Sequence, residues 1–280
     1  MPHINIVQML NQKENISVKK IIHSLLLSSC AISTFSFAET PWLNWQSNSV
    51  SALYGTGFSV EPDTHETITF EHTSNWKWGD LYLFVDTYWF NGEKTPSQGH
   101  NAVYTEIAPR FSLGKLTNTN LSYGPIKDVL IATSFDLSIQ DKAGYDDMWT
   151  YLVGPGFDLD IKGFDYFTLN FYYRIPDDGN TPNGQWQITP CWSYTLPFLQ
   201  SSIIFDGYID WVVNAKGNNS SDFHFNPQIK YDVSPHLGLK PKQLAAGVEY
   251  DYWKNKFLIE DSPYFKTNQS ATSFVVKYTF

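Results

Sequence analysis

Apolar and polar side chains alternate along most of the chain beyond residue 44, and no stretch has the 3.6-residue period that predicts an amphipathic helix. Turn-forming residues divide this alternation into candidate strands. We predict twelve strands, at residues 44–58, 65–75, 79–90, 103–113, 128–139, 147–159, 164–175, 185–195, 202–213, 222–233, 242–253 and 271–280. Most are longer than the roughly five or six residues usual in soluble sheets, and they match the roughly 9–11 residues that a tilted strand needs to cross a bilayer.

The two faces of the predicted strands differ in polarity, because successive side chains of a strand point to opposite sides. The apolar face includes Val103, Ile107, Phe111, Phe167, Leu169, Phe171, Tyr173, Ile203, Phe205, Ile209, Trp211, Phe274, Val276, Tyr278 and Phe280. The polar face includes Glu106, Arg110, Asn170, Tyr172, Arg174, Asp206, Tyr208, Asp210, His224, Asn226, Gln228 and Lys230. One face suits lipid and the other suits water, and single-chain bacterial barrels have an even number of strands. The pattern predicts an all-β fold, a transmembrane antiparallel up-and-down β-barrel of twelve strands. A soluble β-sandwich is the alternative, but it does not account for outward faces this apolar on strands this long.

The connections between the predicted strands support a barrel. With the N-terminus on the periplasmic side, the outer links are residues 91–102, 176–184, 214–221 and 254–269, whereas the inner links near residues 79, 160–163 and 196–200 are short. Residues 114–127 are the exception, a long link on the inner side. Tryptophans near strand ends are expected to form interfacial girdles; they are Trp76, Trp78, Trp89, Trp149, Trp186 and Trp253. The chain ends in Phe280 after an alternating strand, which is expected to be the signal that the barrel-assembly machinery recognises.

The first 38 residues have the pattern of a cleaved leader. Lys19 and Lys20 precede an apolar run that ends in small residues, Ser36 and Ala38, which predicts a secretory signal peptide over residues 1–38 cut after Ala38. The alternatives are a lipoprotein signal cut before Cys30 and a translation start further in than residue 1. Residues 39–280 are then a single outer-membrane barrel domain, without an apolar run long enough for a transmembrane helix.

Composition excludes several classes of function. The chain has 19 basic and 28 acidic residues, a net charge of −9, and no basic patch of the kind that binds nucleic acid. Only Cys191 follows the leader, so no intramolecular disulfide is expected, and no His or Cys spacing predicts a metal or cofactor site. Of the histidines, only His224 lies clearly on the polar face, and none belongs to a nucleophile motif. We therefore expect a protein that is not an enzyme; a barrel hydrolase that depends on His224 is the alternative.

The strand at residues 79–90 is aromatic on both faces and carries an acid in the middle. Its polar face holds Tyr82, Phe84, Asp86, Tyr88 and Phe90. One interpretation is that the rings stack on a planar solute while Asp86 accepts hydrogen bonds from it. The other is that Phe84 and Phe90 fill a narrow barrel and that the two tyrosines belong to a girdle.

Three segments carry a resemblance to a known family. They are TEIAPRFSLGKLTNTNLSYGPIKDVLIATSFD at residues 105–136, DLYLFVDTYWF at residues 80–90 and FDGYIDWVV at residues 205–213. They resemble the Tsx/OmpK family of nucleoside-specific outer-membrane channels. The resemblance implies a monomer in outer-membrane lipid, with a narrow lumen through which nucleosides and deoxynucleosides diffuse passively. Family members also serve as phage receptors through their outer loops, which match weakly here.

A nucleoside joins a flat base to a hydroxyl-rich sugar, so a lumen that selects it needs rings together with hydrogen-bonding groups. The predicted substrate-binding residues of the lumen are Tyr82, Phe84, Asp86, Tyr88, Glu106, Arg110, Tyr172, Arg174, Asp206, Tyr208 and Asp210. Glu106 and Arg110 lie about 13 Å apart along one strand and are expected to pair with charges on other strands. The acids of the polar face outnumber its bases, which should disfavour anions such as nucleotides. A general small-solute porin and a surface receptor barrel remain as alternatives.

Overall fold

The computed structural model describes residues 41–91, 99–141, 147–177, 181–214 and 216–280. The predicted leader lies outside the described residues, as does most of the link between residues 91 and 102. In the described part of the chain, twelve strands form a closed barrel. They are β1 (Leu43–Thr56), β2 (Thr64–Trp76), β3 (Gly79–Asn91), β4 (Asn101–Ser112), β5 (Ile126–Gln140), β6 (Met148–Leu159), β7 (Phe164–Pro176), β8 (Gln185–Phe198), β9 (Ser201–Val212), β10 (Phe223–Asp232), β11 (Leu244–Lys254) and β12 (Gln269–Thr279).

Each strand pairs antiparallel with its sequence neighbours, and β1 closes the sheet by pairing with β12, where Ala52 lies opposite Val276. The predicted up-and-down barrel is therefore confirmed, with every predicted strand present. The largest boundary error falls at residues 196–198, which were predicted to be a turn but extend β8, so that the turn is residues 199–200. Closure satisfies the backbone groups that an open sheet would leave unpaired, as a bilayer requires.

The inner link after β4 contains a short helix, α1 (Leu113–Thr117), that alternation did not predict. The Ser112 hydroxyl caps α1 by accepting from the Lys115 backbone N–H at 2.9 Å. The Lys115 ammonium donates to the carbonyls of Trp76 at 3.0 Å and Gly79 at 3.2 Å, so the link is fixed to the β2–β3 turn. A single-turn 3₁₀ helix lies at Ser234–Leu237, and a tight turn with left-handed backbone at Phe257 lies at Lys256–Leu258. None of the helices among the described residues is long and apolar enough to span a membrane.

Ion pairs between strands that are not neighbours identify the lumen face. Lys277 of β12 contacts Glu71 of β2 at 2.5 Å, and Arg110 of β4 contacts Asp158 of β6 at 2.9 Å. Side chains two strands apart meet only on the concave side of a closed sheet, so these residues point inward. On the opposite face Phe274 is 56% exposed. The predicted division into a polar inner face and an apolar outer face is thus correct.

Two residues near one end of the barrel differ from expectation. Trp253 was predicted to lie in a lipid-facing girdle, which is wrong: its ring stacks on His224 at 3.7 Å inside the barrel. It has the same parity as Glu249 and Asp251 on β11, and parity outweighs its position near a strand end. His65 is a second inward histidine, stacked on Phe58 at 3.7 Å. We call this end of the barrel the loop end; it holds the connections after β1, β3, β5, β7, β9 and β11. The opposite end is called the turn end.

Candidate functional site in the lumen

One wall of the lumen carries a row of aromatic rings. The row consists of Tyr82, Phe84, Tyr88 and Phe90 on β3 and Tyr104 on β4. Ring centroids are 5.8 Å apart for Tyr82 and Phe84, 5.7 Å for Phe84 and Tyr104, and 6.1 Å for Tyr88 and Phe90. We call these five residues the aromatic row. Alternation on β3 places four of the rings on one face, and the β3–β4 register adds the fifth.

The rings of the aromatic row differ in how far they are open to the lumen. Tyr82 is 36% exposed although it points inward, and Phe84 and Tyr88 are half-buried. Phe90 is only 5% exposed and packs against His65 at 4.6 Å between ring centroids. Tyr82 and Tyr88 therefore line the lumen and do not belong to a girdle. Phe90, by contrast, fills space at the loop end.

A carboxylate holds each tyrosine of the row by its hydroxyl group. The hydroxyls of Tyr82, Tyr88 and Tyr104 donate to Glu71 at 3.2 Å, to Asp86 at 2.8 Å and to Glu106 at 2.8 Å, respectively. Asp86 also accepts from Thr69 at 2.5 Å. These bonds fix the ring edges and leave the ring faces for other contacts. Tyr104 was missed from the sequence, although its position two residues before Glu106 on one strand was an available signal.

The lumen also contains acids without a cationic partner. Glu106 of β4 lies directly opposite Asp136 of β5, and Asp210 accepts from Gln187 at 2.7 Å and Thr189 at 2.6 Å. Together with Asp86 and Glu249, these acids take part in none of the ion pairs of the described residues. We call Asp86, Glu106, Asp136, Asp210 and Glu249 the acid belt. The electrostatic potential of the lumen beside the acid belt is negative wherever these carboxyl groups are ionised.

The lumen bases nearer the turn end are all neutralised by acids. Arg110 donates to both carboxylate oxygens of Asp80 at 2.8 Å and also contacts Asp158 at 2.9 Å. Lys230, which is 2% exposed, lies 2.5 Å from Asp206. Lys277 is held by Glu71 in the same way. The acids that contact these cations neutralise them, so the ion pairs stabilise the barrel wall.

Aromatic and polar groups also occupy the wall opposite the aromatic row. Tyr208 contacts the edge of His224, with ring centroids 5.1 Å apart, and His224 Nε2 lies 3.0 Å from Asp251. Arg174 donates to Gln187 and has a buried Nε without a partner. Tyr172 is 5% exposed and packs with Ala132 and Leu152. In the parts of the chain that the structure describes, no group of three or more His, Cys, Asp or Glu residues is arranged to hold a metal ion.

The structure places all predicted site residues on the lumen face but in different environments. Tyr82, Phe84, Tyr88 and Tyr208 present ring surface, and Asp86, Glu106 and Asp210 belong to the acid belt. Arg110 and Asp206 are engaged in ion pairs, Tyr172 is packed, and Arg174 retains a free donor. The accessible part of the predicted set is thus rings and acids.

Outside the strands, Asp222 adds a titratable group at the loop end. It precedes β10 and is 8% exposed. Burial raises the pKa of Asp222 to about 7; the charge of Asp210 also raises it, and that of Arg174 lowers it. This carboxyl group therefore changes its charge in the neutral range, and the loop end becomes more negative as the pH rises through 7.

We expect Arg110→Gln to destabilise the barrel. The substitution leaves Asp80 and Asp158 facing each other without their shared cation, and removing one partner from such a network costs about 3 kcal/mol. The measurement is the urea midpoint of unfolding in liposomes, followed by tryptophan fluorescence. Lys266→Gln is the control, because Lys266 is 66% exposed in its pair with Asp261. Equal midpoints for the two variants would show that the Arg110 network has no structural role.

A closed antiparallel barrel with an apolar outer face and a polar lumen defines the class of outer-membrane β-barrels. Residues 40–280 match the family model described as "Nucleoside-specific channel-forming protein, Tsx". The chain belongs to this family. The family and the twelve-stranded barrel together place it in the bacterial outer membrane as a multi-pass protein.

Individual relatives are similar over part of their length. The chain is 29% identical over 147 residues to outer membrane protein OmpK of Vibrio parahaemolyticus, covering 51% of this chain and 53% of the relative. It is 30% identical over 173 residues to nucleoside-specific channel-forming protein Tsx of Klebsiella pneumoniae, covering 55% and 58%. An OmpK from Vibrio parahaemolyticus serotype O3:K6 (strain RIMD 2210633) is 26% identical over 205 residues, covering 72% and 75%. The chain thus spans little more than half the length of the first two relatives.

Proposed function

We propose that this protein is a channel through which nucleosides and deoxynucleosides cross the outer membrane by passive, facilitated diffusion. The observation that carries the proposal is the aromatic row on the lumen wall, in which a carboxylate holds each tyrosine hydroxyl. Family membership and relatives named as nucleoside-specific channels support the same assignment. The proposal assigns no catalysis and no cofactor, because diffusion down a gradient needs neither.

The aromatic row supplies weak binding sites in series. A base that stacks on one ring gains about 1–3 kcal/mol, and stacking tolerates different bases. Tyr82, Phe84 and Tyr104 are less than 6 Å apart from one ring to the next, so a solute leaving one ring meets another. Weak consecutive sites allow entry without trapping the solute, as conduction requires.

The acids beside the rings suit the sugar. Asp86 and Glu106 are acceptors for ribose hydroxyls, and each already orients the hydroxyl of a neighbouring tyrosine. Tyr208 provides a further ring surface on the opposite wall. The pathway therefore pairs a stacking surface with hydroxyl-binding groups, which favours nucleosides over free bases and simple sugars.

We further propose that the protein functions as a monomer, because closure of the barrel leaves no strand edge to pair. The assembly machinery would recognise β12 together with the terminal Phe280. Phe280 supports this because its backbone N–H reaches the Asn48 carbonyl at 3.0 Å, which places it at the seam that closes last in chain order.

Uptake into liposomes that contain the refolded protein tests the proposed function. Radiolabelled adenosine and thymidine are compared with arabinose and AMP. The proposal predicts that both nucleosides enter much faster than arabinose and that AMP enters slowest. Equal entry of all uncharged solutes would identify a general porin instead.

A further inference from the structure

Residues 255–268 connect β11 to β12 at the loop end and contact the turn after β1. We call this segment the cap. The ammonium group of Lys256 lies 2.8 Å from a carboxylate oxygen of Glu61 and 2.8 Å from Oε1 of Gln269, and 3.5 Å from the Ser59 carbonyl. Lys256 is only 5% exposed. A single buried cation therefore ties three separate parts of the loop end together.

Most other contacts of the cap with its surroundings are polar as well, apart from the Phe257 ring, whose centroid lies 5.9 Å from that of Trp253. The Leu258 carbonyl accepts from the Ser220 N–H at 2.8 Å, and the Asn255 amide donates to the Ser221 carbonyl at 3.0 Å. The large apolar side chains of the cap are mostly exposed; they are Phe257, Ile259, Tyr264 and Phe265, whereas Leu258 is buried. A segment that buries little apolar surface and depends on a few polar contacts opens at low cost.

Backbone strain is concentrated where the cap begins. Asn255, Phe257 and Leu258 have φ values of 56°, 60° and 64°, in the left-handed region that favours glycine. Such residues persist only where surrounding contacts hold them, here on both sides of Lys256. Further along, the Asp261 carboxylate accepts from the N–H groups of Thr267 at 2.8 Å and Asn268 at 3.1 Å. These bonds lower the pKa of Asp261 and organise the rest of the cap as one unit.

A buried histidine lies near the start of the cap. His65 is 4% exposed, and neither of its ring nitrogens has a hydrogen-bond partner. Its charged neighbours include Lys256 of the cap and Asp251 of β11. The rings that surround His65 are those of Phe58, Tyr88 and Phe90, and the cap approaches it through the charge of Lys256. Opening thus relieves the backbone strain at Asn255 to Leu258, against the loss of the Lys256 contacts.

We propose that residues 255–268 form a lid over the loop end of the lumen, and that the ion pair of Lys256 with Glu61 acts as a latch by holding the strained hinge at Asn255 to Leu258 in place. In the closed position the Lys256 ammonium lies 5.8 Å from the centre of the Trp253 ring, an inward residue of β11, so the start of the lid reaches the lumen face at the loop end. In the open position solutes reach Tyr88 and the acid belt. The inference rests on the proposed function only for the nature of the solute, because the latch acts on any solute or ion that uses the lumen.

Single-channel recording in planar bilayers with potassium chloride tests the lid. Lys256→Met and Glu61→Gln each remove the ion pair, and each is expected to raise the fraction of time spent open by about tenfold, the effect of losing one charged hydrogen bond. Lys266→Gln is the matched control, since it removes an exposed ion pair from the same segment. The charge-reversed protein, Glu61→Lys with Lys256→Glu, is expected to restore the closed state at least partly.

Unchanged conductance in both single variants would overturn the lid. If Lys256→Met fails to fold, Glu61→Gln carries the test alone, since it keeps the side-chain shape. The readout is an ion current, so it is independent of nucleoside preference. A wild-type protein without that preference, but with the expected change in Glu61→Gln, would refute the proposed channel specificity and leave the lid standing. A wild-type protein that prefers nucleosides, together with unchanged gating in Glu61→Gln, would refute only the lid.

Discussion

Phe84→Ala combined with Tyr88→Ala is expected to abolish the preference for nucleosides over sugars. Each ring offers about 1–3 kcal/mol of stacking to a base, so losing both weakens the apparent affinity for adenosine by at least about tenfold. Arabinose has no base and should pass as before or faster. The measurement is the concentration dependence of adenosine uptake into liposomes, which gives the half-saturation concentration and the maximal flux separately.

The same strand supplies the matched control. Leu83→Ala with Val85→Ala truncates the neighbours on the lipid-facing side of β3 and should leave the half-saturation concentration unchanged. Tyr88→Phe separates the ring from its hydroxyl, because it keeps the stacking surface but releases Asp86. It should retain most of the preference. If the lumen double variant behaves like the lipid-facing one, the aromatic row does not contact the solute.

Neutralising part of the acid belt is expected to admit nucleotides. Glu106→Gln with Asp136→Asn removes two acids that lie directly opposite each other, and like charges in a narrow lumen repel a phosphate group. We expect AMP uptake to rise by about tenfold or more, since losing one charge repulsion of roughly 1–4 kcal/mol already has this effect. Adenosine uptake should change much less, because adenosine is uncharged.

Glu66→Gln is the control for that experiment. Glu66 lies on β2 beside the inward Thr67, so it points outward, and it is exposed. Removing it changes the net charge of the protein without changing the lumen. If both proteins admit AMP equally, exclusion depends on overall charge or on size. If neither does, the acid belt is not the barrier to anions.

Alternation predicted the strands, their pairing order and the inward face because side-chain parity in a strand has a period of two. In a closed barrel, parity alone decides between lipid and lumen. This is why residues as different as Phe84, Arg110 and Asp210 were all placed on the correct side. Trp253 was misplaced because its location near a strand end was given more weight than its parity with Asp251.

Contacts between distant strands were beyond prediction. The pairing of Arg110 on β4 with Asp158 on β6 and that of Lys277 on β12 with Glu71 on β2 depend on the stagger of the closed sheet. Alternation does not determine that stagger. The strained start of the cap was equally hidden, because Phe257 and Leu258 carry no turn signature of the kind that glycine or asparagine gives.

Block of ion conductance by adenosine tests the central claim most directly. Potassium chloride current through the wild-type protein is recorded in planar bilayers while adenosine or ribose is added. The account predicts that adenosine reduces the current to a saturating level, that ribose has little effect, and that Phe84→Ala with Tyr88→Ala shifts the block to higher adenosine concentration. Equal effects of adenosine and ribose, or no block at all, would contradict a nucleoside-binding aromatic row.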